Sequence, residues 1–190
     1  MTLESPTLFM SNHRDPIGMW PRLIEFGRNY PNTKFICNAS FSFFLKIFGN
    51  ETIEINTCRY FDRLGTRQAK IKSALITSLG LLTARNVKAI EGDLVVKEAC
   101  TALGDGKNVF IFPETITNSK LGWRTGIGRM CQNIDLNITK AGFVFIPKPF
   151  YEKAKVVIVP AIGSLIDGLG DAEQIAHILQ LQHEQLFGKK

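Results

Sequence analysis

Short apolar segments alternate along this chain with longer segments of helical periodicity, and this alternation constrains the fold most. The predicted strands cover Thr7–Ser11, Lys34–Cys37, Thr52–Ile55, Val109–Phe112, Phe143–Ile146 and Val156–Val159, and the predicted helices cover Trp20–Tyr30, Gln68–Ala84, Leu94–Leu103 and Asp171–Phe187. Strands that alternate with helices of about 10–15 residues are typical of α/β domains. The pattern predicts one α/β domain spanning residues 1–190, with helices on a mixed, largely parallel central sheet.

Residue types at the ends of two predicted helices support their bounds. Asp93 and Asp171 are of a type that caps helix N-termini, and Gly104 is of the type that ends a helix. The last helix is predicted to turn one apolar face inward, because apolar residues recur in it at helical spacing. These residues are Ile175, Ile178, Leu179 and Leu186.

The composition excludes several classes of protein. Of the 190 residues, 45% are hydrophobic and 21% are charged, which is typical of a globular chain and not of a disordered one. The longest apolar stretch, Phe35–Gly49, is interrupted by Asn38, Ser40, Ser42 and Lys46. It falls short of the roughly 20 apolar residues of a membrane helix. The N-terminal residues also lack the basic and apolar regions of a signal peptide.

Cysteine spacing and net charge narrow the possible partners. Cys37, Cys58, Cys100 and Cys131 lie far apart, so we expect no zinc site and reduced thiols in a cytoplasm. A hydrolase that uses Cys58 or Cys131 as nucleophile stays an alternative. The net charge of +6 suits an anionic partner, such as a phosphorylated metabolite or an acidic lipid surface. The basic residues are dispersed and form no stripe with stacking aromatics, so nucleic acid is not expected.

A polar motif, Asn12-His13-Arg14-Asp15, directly follows the first predicted strand. Ligands of α/β sheets bind at the carboxyl ends of strands, so this motif is placed for chemistry. Residues i and i+2 of an extended chain point to the same side, so Asp15 can orient the imidazole of His13. A general base paired with an orienting carboxylate needs this arrangement. The alternative is a surface histidine beside a carboxylate that caps a turn.

A second polar motif, Pro113-Glu114-Thr115, follows the predicted strand at Val109–Phe112. Proline forces a turn there, which directs Glu114 at whatever the strand ends face. The alternative is an ordinary exit from a strand into a loop. Farther along, the segment 123–129 contains small residues that can let a helix approach a ligand closely.

Two further segments are candidates for binding. Arg63 and Arg67, one helical turn apart and close to Arg59, can present guanidinium groups to a phosphate. The alternative is a solvated basic start of a helix. The aromatic segment Phe41–Phe48, with Lys46, can lie in a membrane interface or line an acyl groove. The alternative there is a buried core helix.

In their order and spacing, these motifs resemble the blocks of the PlsC-type glycerophospholipid acyltransferases, which include glycerol-3-phosphate and lysophosphatidate acyltransferases. Ser11-Asn12-His13 resembles the first block, NHxxxxD, and Phe61-Asp62-Arg63 resembles the second block. Phe112-Pro113-Glu114 resembles the third block, FPEGTRS, and Trp123-Arg124-Thr125-Gly126 resembles the aromatic-Lys-x-Gly sequence that follows it. Val157–Pro160 or Phe145–Pro147 resembles the fourth block. The resemblance covers residues 7–162, and the helix predicted at 171–187 follows it.

The chain departs from the family pattern at three positions. Gly18 stands where the family has its block-one aspartate, which leaves Asp15 to take that role. Thr115 and Thr117 stand where the family has Gly and Arg. These departures motivate an alternative, a catalytically lapsed relative that binds lipid or acts as a partner protein.

The resemblance implies an O-acyltransferase of phospholipid biosynthesis or remodelling with a glycerol-3-phosphate acyltransferase-like fold. It would move a fatty acyl group from acyl-CoA or acyl carrier protein to the hydroxyl of a glycerol-phosphate or lysophospholipid acceptor. It would need no metal and no cofactor beyond that co-substrate, and it would be cytoplasmic or peripheral on the inner face of a membrane. The implied roles are His13 as general base, Asp15 as its orienter, Arg63 as the residue that holds the acceptor phosphate and Glu114 as the residue that shapes the acceptor site. Phe61, Pro113 and Thr115 are implied as further substrate-binding residues.

Overall fold

A computed structural model describes residues 5–12, 20–55, 92–114, 122–147 and 152–188 of the chain. The strands in these ranges are β1 (Thr7–Ser11), β2 (Thr33–Asn38), β3 (Glu51–Ile55), β4 (Asn108–Ile111), β5 (Lys140–Phe145) and β6 (Lys155–Val159). The helices in the same ranges are α1 (Trp20–Asn29), α2 (Ala39–Ile47), α3 (Gly92–Gly104), α4 (Thr125–Gln132), α5 (Gly163–Ile166) and α6 (Ala172–Phe187). The helix predicted at Gln68–Ala84 lies outside the described residues.

The described strands form one six-stranded sheet in the order β3-β2-β4-β1-β5-β6. The pairs β2–β3, β2–β4, β1–β4 and β1–β5 are parallel, whereas β6 runs antiparallel to β5 at one edge. The predicted α/β domain with a mixed, largely parallel sheet flanked by helices is confirmed. Strand β1, which carries the first polar motif at its end, lies inside the sheet between β4 and β5.

Side chains that alternate along the strands fill two cores, one on each face of the sheet. Leu8 and Met10 of β1 pack into the first core, which α3, α4 and α6 cover, while Phe9 packs into the second, which α1 and α2 cover. Successive residues of a strand point to opposite faces, and both faces here are apolar because helices cover both.

Phenylalanine rings dominate the second core, which accounts for part of the chain's 14 Phe residues. Phe26 of α1 packs edge-on against Phe9 and Phe110, with ring centroids 4.9 and 5.0 Å apart. Such aromatic pairs contribute about 0.5–1.5 kcal/mol each beyond their buried area. They fix α1 on the sheet, so the connection from β1 to α1, residues 12–19, joins two anchored elements.

Helix α6 is capped as the sequence predicts but buries a slightly different face. The Asp171 carboxylate accepts a hydrogen bond from the Gln174 N–H at 3.0 Å, which confirms the predicted N-cap. Leu186, predicted to face inward, is 43% exposed. The buried stripe advances by four residues from His183 to Phe187, which stacks on Phe145 with ring centroids 5.4 Å apart. Phe187 thus takes the inward position expected of Leu186.

Contacts between helices correct the role predicted for Asp93 and account for the glycine at position 128. Asp93, predicted to cap α3, lies inside the first turn, and its carboxylate binds the Arg129 guanidinium at 2.7 Å. The small residues of segment 123–129 were predicted to let a helix approach a ligand closely, and at Gly128 the close neighbour is α6. A Cβ atom built on Gly128 would lie 1.9 Å from the carbonyl oxygen of Ala172. The glycine is needed because two helices cross at that point.

The aromatic segment around α2 is neither fully buried nor fully exposed. Leu45 points into the second core, whereas Phe44, Ile47 and Phe48 are exposed. The alternative of a buried core helix is therefore wrong for Phe44, Ile47 and Phe48. In the part of the chain that the structure describes, no helix combines the length and apolarity needed to cross a bilayer.

Candidate functional site

The carboxyl ends of β1 and β4 lie side by side in the sheet. The strands are parallel, with Met10 opposite Ile111, so Asn12 and the Pro113-Glu114 pair leave the sheet at the same edge. The chain turns from β1 towards α1 on one face and from β4 towards α4 on the other. Ligands of α/β sheets bind at the carboxyl ends of neighbouring strands that lead to helices on opposite faces of the sheet. The two polar motifs predicted to follow strand ends therefore follow neighbouring strands.

A buried hydrogen bond joins the first motif to the segment that follows the second. The indole Nε1–H of Trp123 donates to Oδ1 of Asn12 at 2.9 Å. Both side chains are buried, with exposures of 7% and 8%. A buried amide oxygen costs free energy unless a donor satisfies it, so the indole fixes the orientation of the Asn12 side chain.

Backbone pairing holds the Trp123 segment against the end of β4. Glu114 and Trp123 form an antiparallel bridge, and the Arg124 N–H donates to the carbonyl oxygen of Pro113 at 3.0 Å. Glu114 and Trp123 therefore lie side by side on this edge. Pro113 is buried and Glu114 is half-buried, so the carboxylate lies at the surface of the edge and not inside the core.

Helix α6 braces the same segment from the outside. The Gln180 Oε1 atom accepts a hydrogen bond from the Trp123 backbone N–H at 2.9 Å, while Gln180 Nε2 donates to Glu184 Oε1 at 2.7 Å. The His183 ring lies 5.7 Å from the Trp123 ring, and its Nε2 lies 3.0 Å from the Val144 carbonyl oxygen. A carbonyl oxygen only accepts, so Nε2 carries the proton in this contact.

Sequence reasoning missed Gln180 and His183. The available signal was the helical stripe itself, because His183 comes four residues after Leu179, which comes four after Ile175. A polar side chain at an inward position of an amphipathic helix must find a buried partner. Nothing in the local sequence indicated that the partner would be a strand carbonyl beside Trp123.

The described cysteines lack the features of activated nucleophiles. Burial and then the neighbouring Cys100 raise the pKa of Cys131 to about 12. Burial and then the Glu54 carboxylate raise the pKa of Cys37, and burial raises the pKa of Cys100. Since the thiolate is the reactive form, these shifts argue against the alternative of a hydrolase that uses Cys131. Cys58 lies outside the described residues.

Of the predicted site residues, the structure describes Pro113 and Glu114. Those that lie outside the described residues are His13, Asp15, Phe61, Arg63 and Thr115, together with Arg59 and Arg67. The contact predicted between His13 and Asp15 stays a prediction. The described part of the site therefore consists of Asn12, Pro113, Glu114 and Trp123, braced by α6.

A scan against protein-family models, a search of curated proteins and a search of solved structures each return no match to this chain. What the chain does must therefore follow from its own residues and their geometry.

Proposed function

We propose that this chain is an acyltransferase that moves a fatty acyl group from an acyl thioester to the hydroxyl of a glycerol-phosphate or lysophospholipid acceptor. The observation that supports this most is the hydrogen-bonded link from Asn12 to Trp123, whose backbone pairs with Glu114. A motif near residue 12 and two motifs between residues 112 and 126 thereby meet at the carboxyl edge of a parallel sheet. These are the same motifs that carry the resemblance to the PlsC-type family.

His13 is the general base of the proposed reaction, and Asp15 orients it. His13 follows Asn12 directly in the chain, and the Asn12 side chain is held by Trp123. The imidazole takes the proton of the acceptor hydroxyl as its oxygen attacks the thioester carbonyl. The tetrahedral intermediate collapses, the C–S bond breaks, and the leaving thiolate takes the proton from the imidazolium. No protein nucleophile is needed, which agrees with the raised pKa values of the described thiols.

Glu114 and the arginine segment provide the acceptor site in this proposal. A carboxylate accepts hydrogen bonds only, so Glu114 is suited to a hydroxyl of the glycerol unit. The half-buried position of Glu114 at the strand-end edge leaves part of its surface open to a ligand. Arg63 binds the acceptor phosphate, since a guanidinium matches two phosphate oxygens at once, and Phe61, two positions earlier in the sequence, contributes to substrate binding. Pro113 and Thr115 form the adjoining walls.

The alternative is a catalytically lapsed relative that binds lipid or serves as a partner protein. It is motivated by Gly18, Thr115 and Thr117, which stand where the family has Asp, Gly and Arg. The two functions differ in turnover and not in binding, so an assay of bond formation separates them.

The test is an acceptor panel with radiolabelled acyl-CoA and, separately, loaded acyl carrier protein. Glycerol phosphate and lysophospholipids of several headgroups are offered to the wild-type protein and to His13→Ala. We expect labelled product with at least one acceptor. We also expect the variant to be slower by about 10²–10⁴-fold, the usual contribution of a general base. Absence of transfer to every acceptor would leave the lapsed relative as the better account.

A further inference from the structure

Helix α2 and the residue after it present a ridge of three apolar side chains to solvent. Phe44, Ile47 and Phe48 are 45%, 60% and 48% exposed. Their i, i+3, i+4 spacing places them together on one side of the helix. Isolated exposed apolar residues are ordinary on protein surfaces, whereas contiguous ones mark interaction sites. We call these three side chains the apolar ridge.

Polar groups bind α2 to the sheet and fix the orientation of the apolar ridge. The buried Ser42 hydroxyl bonds to the Thr52 hydroxyl at 2.6 Å and donates to the Glu54 carboxylate, while Lys46 Nζ lies 2.7 Å from the same carboxylate. Rotating α2 to bury the ridge would break these contacts and leave Glu54, only 11% exposed, without its cation. An uncompensated buried carboxylate is costly, so the ridge stays outward.

The charge next to the ridge is basic. The sequence of α2 contains no acidic residue, and its one charged side chain is Lys46. Three residues after Phe48, Glu51 is bound by Lys107 at 2.8 Å and Lys34 at 3.6 Å. Three ammonium groups therefore surround two carboxylates at the α2–β3 edge, and the whole chain carries a net charge of +6.

We infer that the apolar ridge docks on an anionic phospholipid surface, with its side chains among the acyl chains and the lysines beside lipid phosphates. A second copy of the chain fits less well, because a stable protein interface buries about 800 Å² on each partner, more than three half-exposed side chains supply. Binding at a membrane interface increases with the apolar area that enters the lipid and with the attraction of nearby cations to anionic headgroups. This inference rests on α2 and β3 and does not depend on acyl transfer at the edge formed by β1 and β4.

Sedimentation with vesicles tests the inference. Vesicles of phosphatidylcholine alone, and with about 30% phosphatidylglycerol, are mixed with wild-type protein, with Ile47→Ser/Phe48→Ser, and with Ile138→Ser/Leu186→Ser. The last variant removes two other exposed apolar side chains, 56% and 43% exposed, as a matched control. We expect the wild type and the control to bind the anionic vesicles, and the ridge variant to bind at least about tenfold more weakly. Added salt and neutral vesicles should both reduce binding.

Equal binding by the ridge variant and the wild type would overturn the inference, as would failure of the wild type to bind anionic vesicles. A dimer detected by sedimentation velocity, lost in the ridge variant and unaccompanied by vesicle binding, would overturn it in favour of a second copy. Circular dichroism melts identify any unfolded variant, and Phe44→Ser then replaces the double variant. Vesicle binding without acyl transfer would support this inference while contradicting the proposed function, so the two failures are distinguishable.

Discussion

The indole N–H of Trp123 reaches the side-chain oxygen of Asn12 across 111 positions of sequence, at 2.9 Å and out of contact with solvent. This bond ties the residue before His13 to the segment paired with Glu114. The relative position of the two polar motifs therefore depends on one neutral hydrogen bond as well as on the parallel pairing of β1 with β4.

Replacing Trp123 by Phe should destabilise the fold measurably. The substitution keeps an aromatic ring but leaves the buried Asn12 oxygen without its donor, which costs about 1–3 kcal/mol. Urea unfolding followed by circular dichroism measures the change in the free energy of unfolding. Because the smaller ring also loses packing, a double-mutant cycle with Asn12→Ala isolates the bond. A coupling energy below about 0.5 kcal/mol would mean that the two side chains act independently.

Gln180→Leu should loosen the Trp123 segment while leaving α6 folded. Leucine is close to glutamine in size but cannot accept from the Trp123 N–H. Loss of one hydrogen bond of about 1 kcal/mol corresponds to roughly fivefold faster hydrogen exchange at that amide. Exchange measured by NMR checks this, with Gln174→Leu on the exposed side of the same helix as control. If the Trp123 amide exchanged as slowly in Gln180→Leu as in the wild type, α6 would not stabilise the Trp123 segment.

Two glycines of α4 should respond to alanine in opposite directions. At Gly128 the added methyl group meets the backbone carbonyl of Ala172 at 1.9 Å, and overpacking of this kind costs about 1–3 kcal/mol. At Gly126 nothing lies within 4 Å of the added atom. Alanine there should stabilise the fold by roughly 0.4–1 kcal/mol, because it reduces the conformational entropy of the unfolded chain. Thermal melts of both variants provide the comparison. Similar melting temperatures would contradict the close crossing of α4 with α6.

The buried thiol of Cys131 should make stability fall at alkaline pH. Its pKa is raised from 9.0 to about 12 by burial and then by Cys100, so the unfolded chain ionises first as pH rises. The contribution of this thiol to the free energy of unfolding is fully present below about pH 9. It is lost as the pH rises towards 12, by about 1 kcal/mol per pH unit. Urea unfolding between pH 8 and pH 11 should show the stability gap between wild type and Cys131→Ala narrowing. A difference in stability between wild type and Cys131→Ala that does not change with pH would contradict the raised pKa of the buried thiol.

Local patterns predicted much of the secondary structure. β1 was predicted with its observed bounds, and the Asp171 cap and the start of α1 at Trp20 were also right. Each depends on near neighbours in sequence: a run of apolar residues, a carboxylate three positions before an N–H, or helical spacing. The mixed, largely parallel sheet was also predicted, because strands that alternate with helices along a chain pack in few architectures.

Contacts between distant residues could not be read from the sequence. The bond from Trp123 to Asn12 depends on which strands become neighbours, and no local pattern specifies that β4 inserts between β2 and β1. The close approach of Gly128 to Ala172 also could not be predicted, because the two residues lie 44 positions apart in sequence. For the α2 segment the sequence left both an exposed and a buried helix open. The side that faces β3 is set by the contacts of Ser42 with Thr52 and of Lys46 with Glu54, which no local pattern specifies.

The most direct measurement is the rate of acyl transfer by two matched histidine variants, assayed on whichever acceptor the wild type uses. His177 lies on the exposed side of α6 and is not a residue of the proposed site, so His177→Ala controls for the loss of an imidazole. We expect His177→Ala to retain the wild-type kcat, and His13→Ala to lose about 10²–10⁴-fold in kcat with an unchanged melting temperature. Equal rates for the two variants, or no transfer by the wild type, would contradict the proposed function.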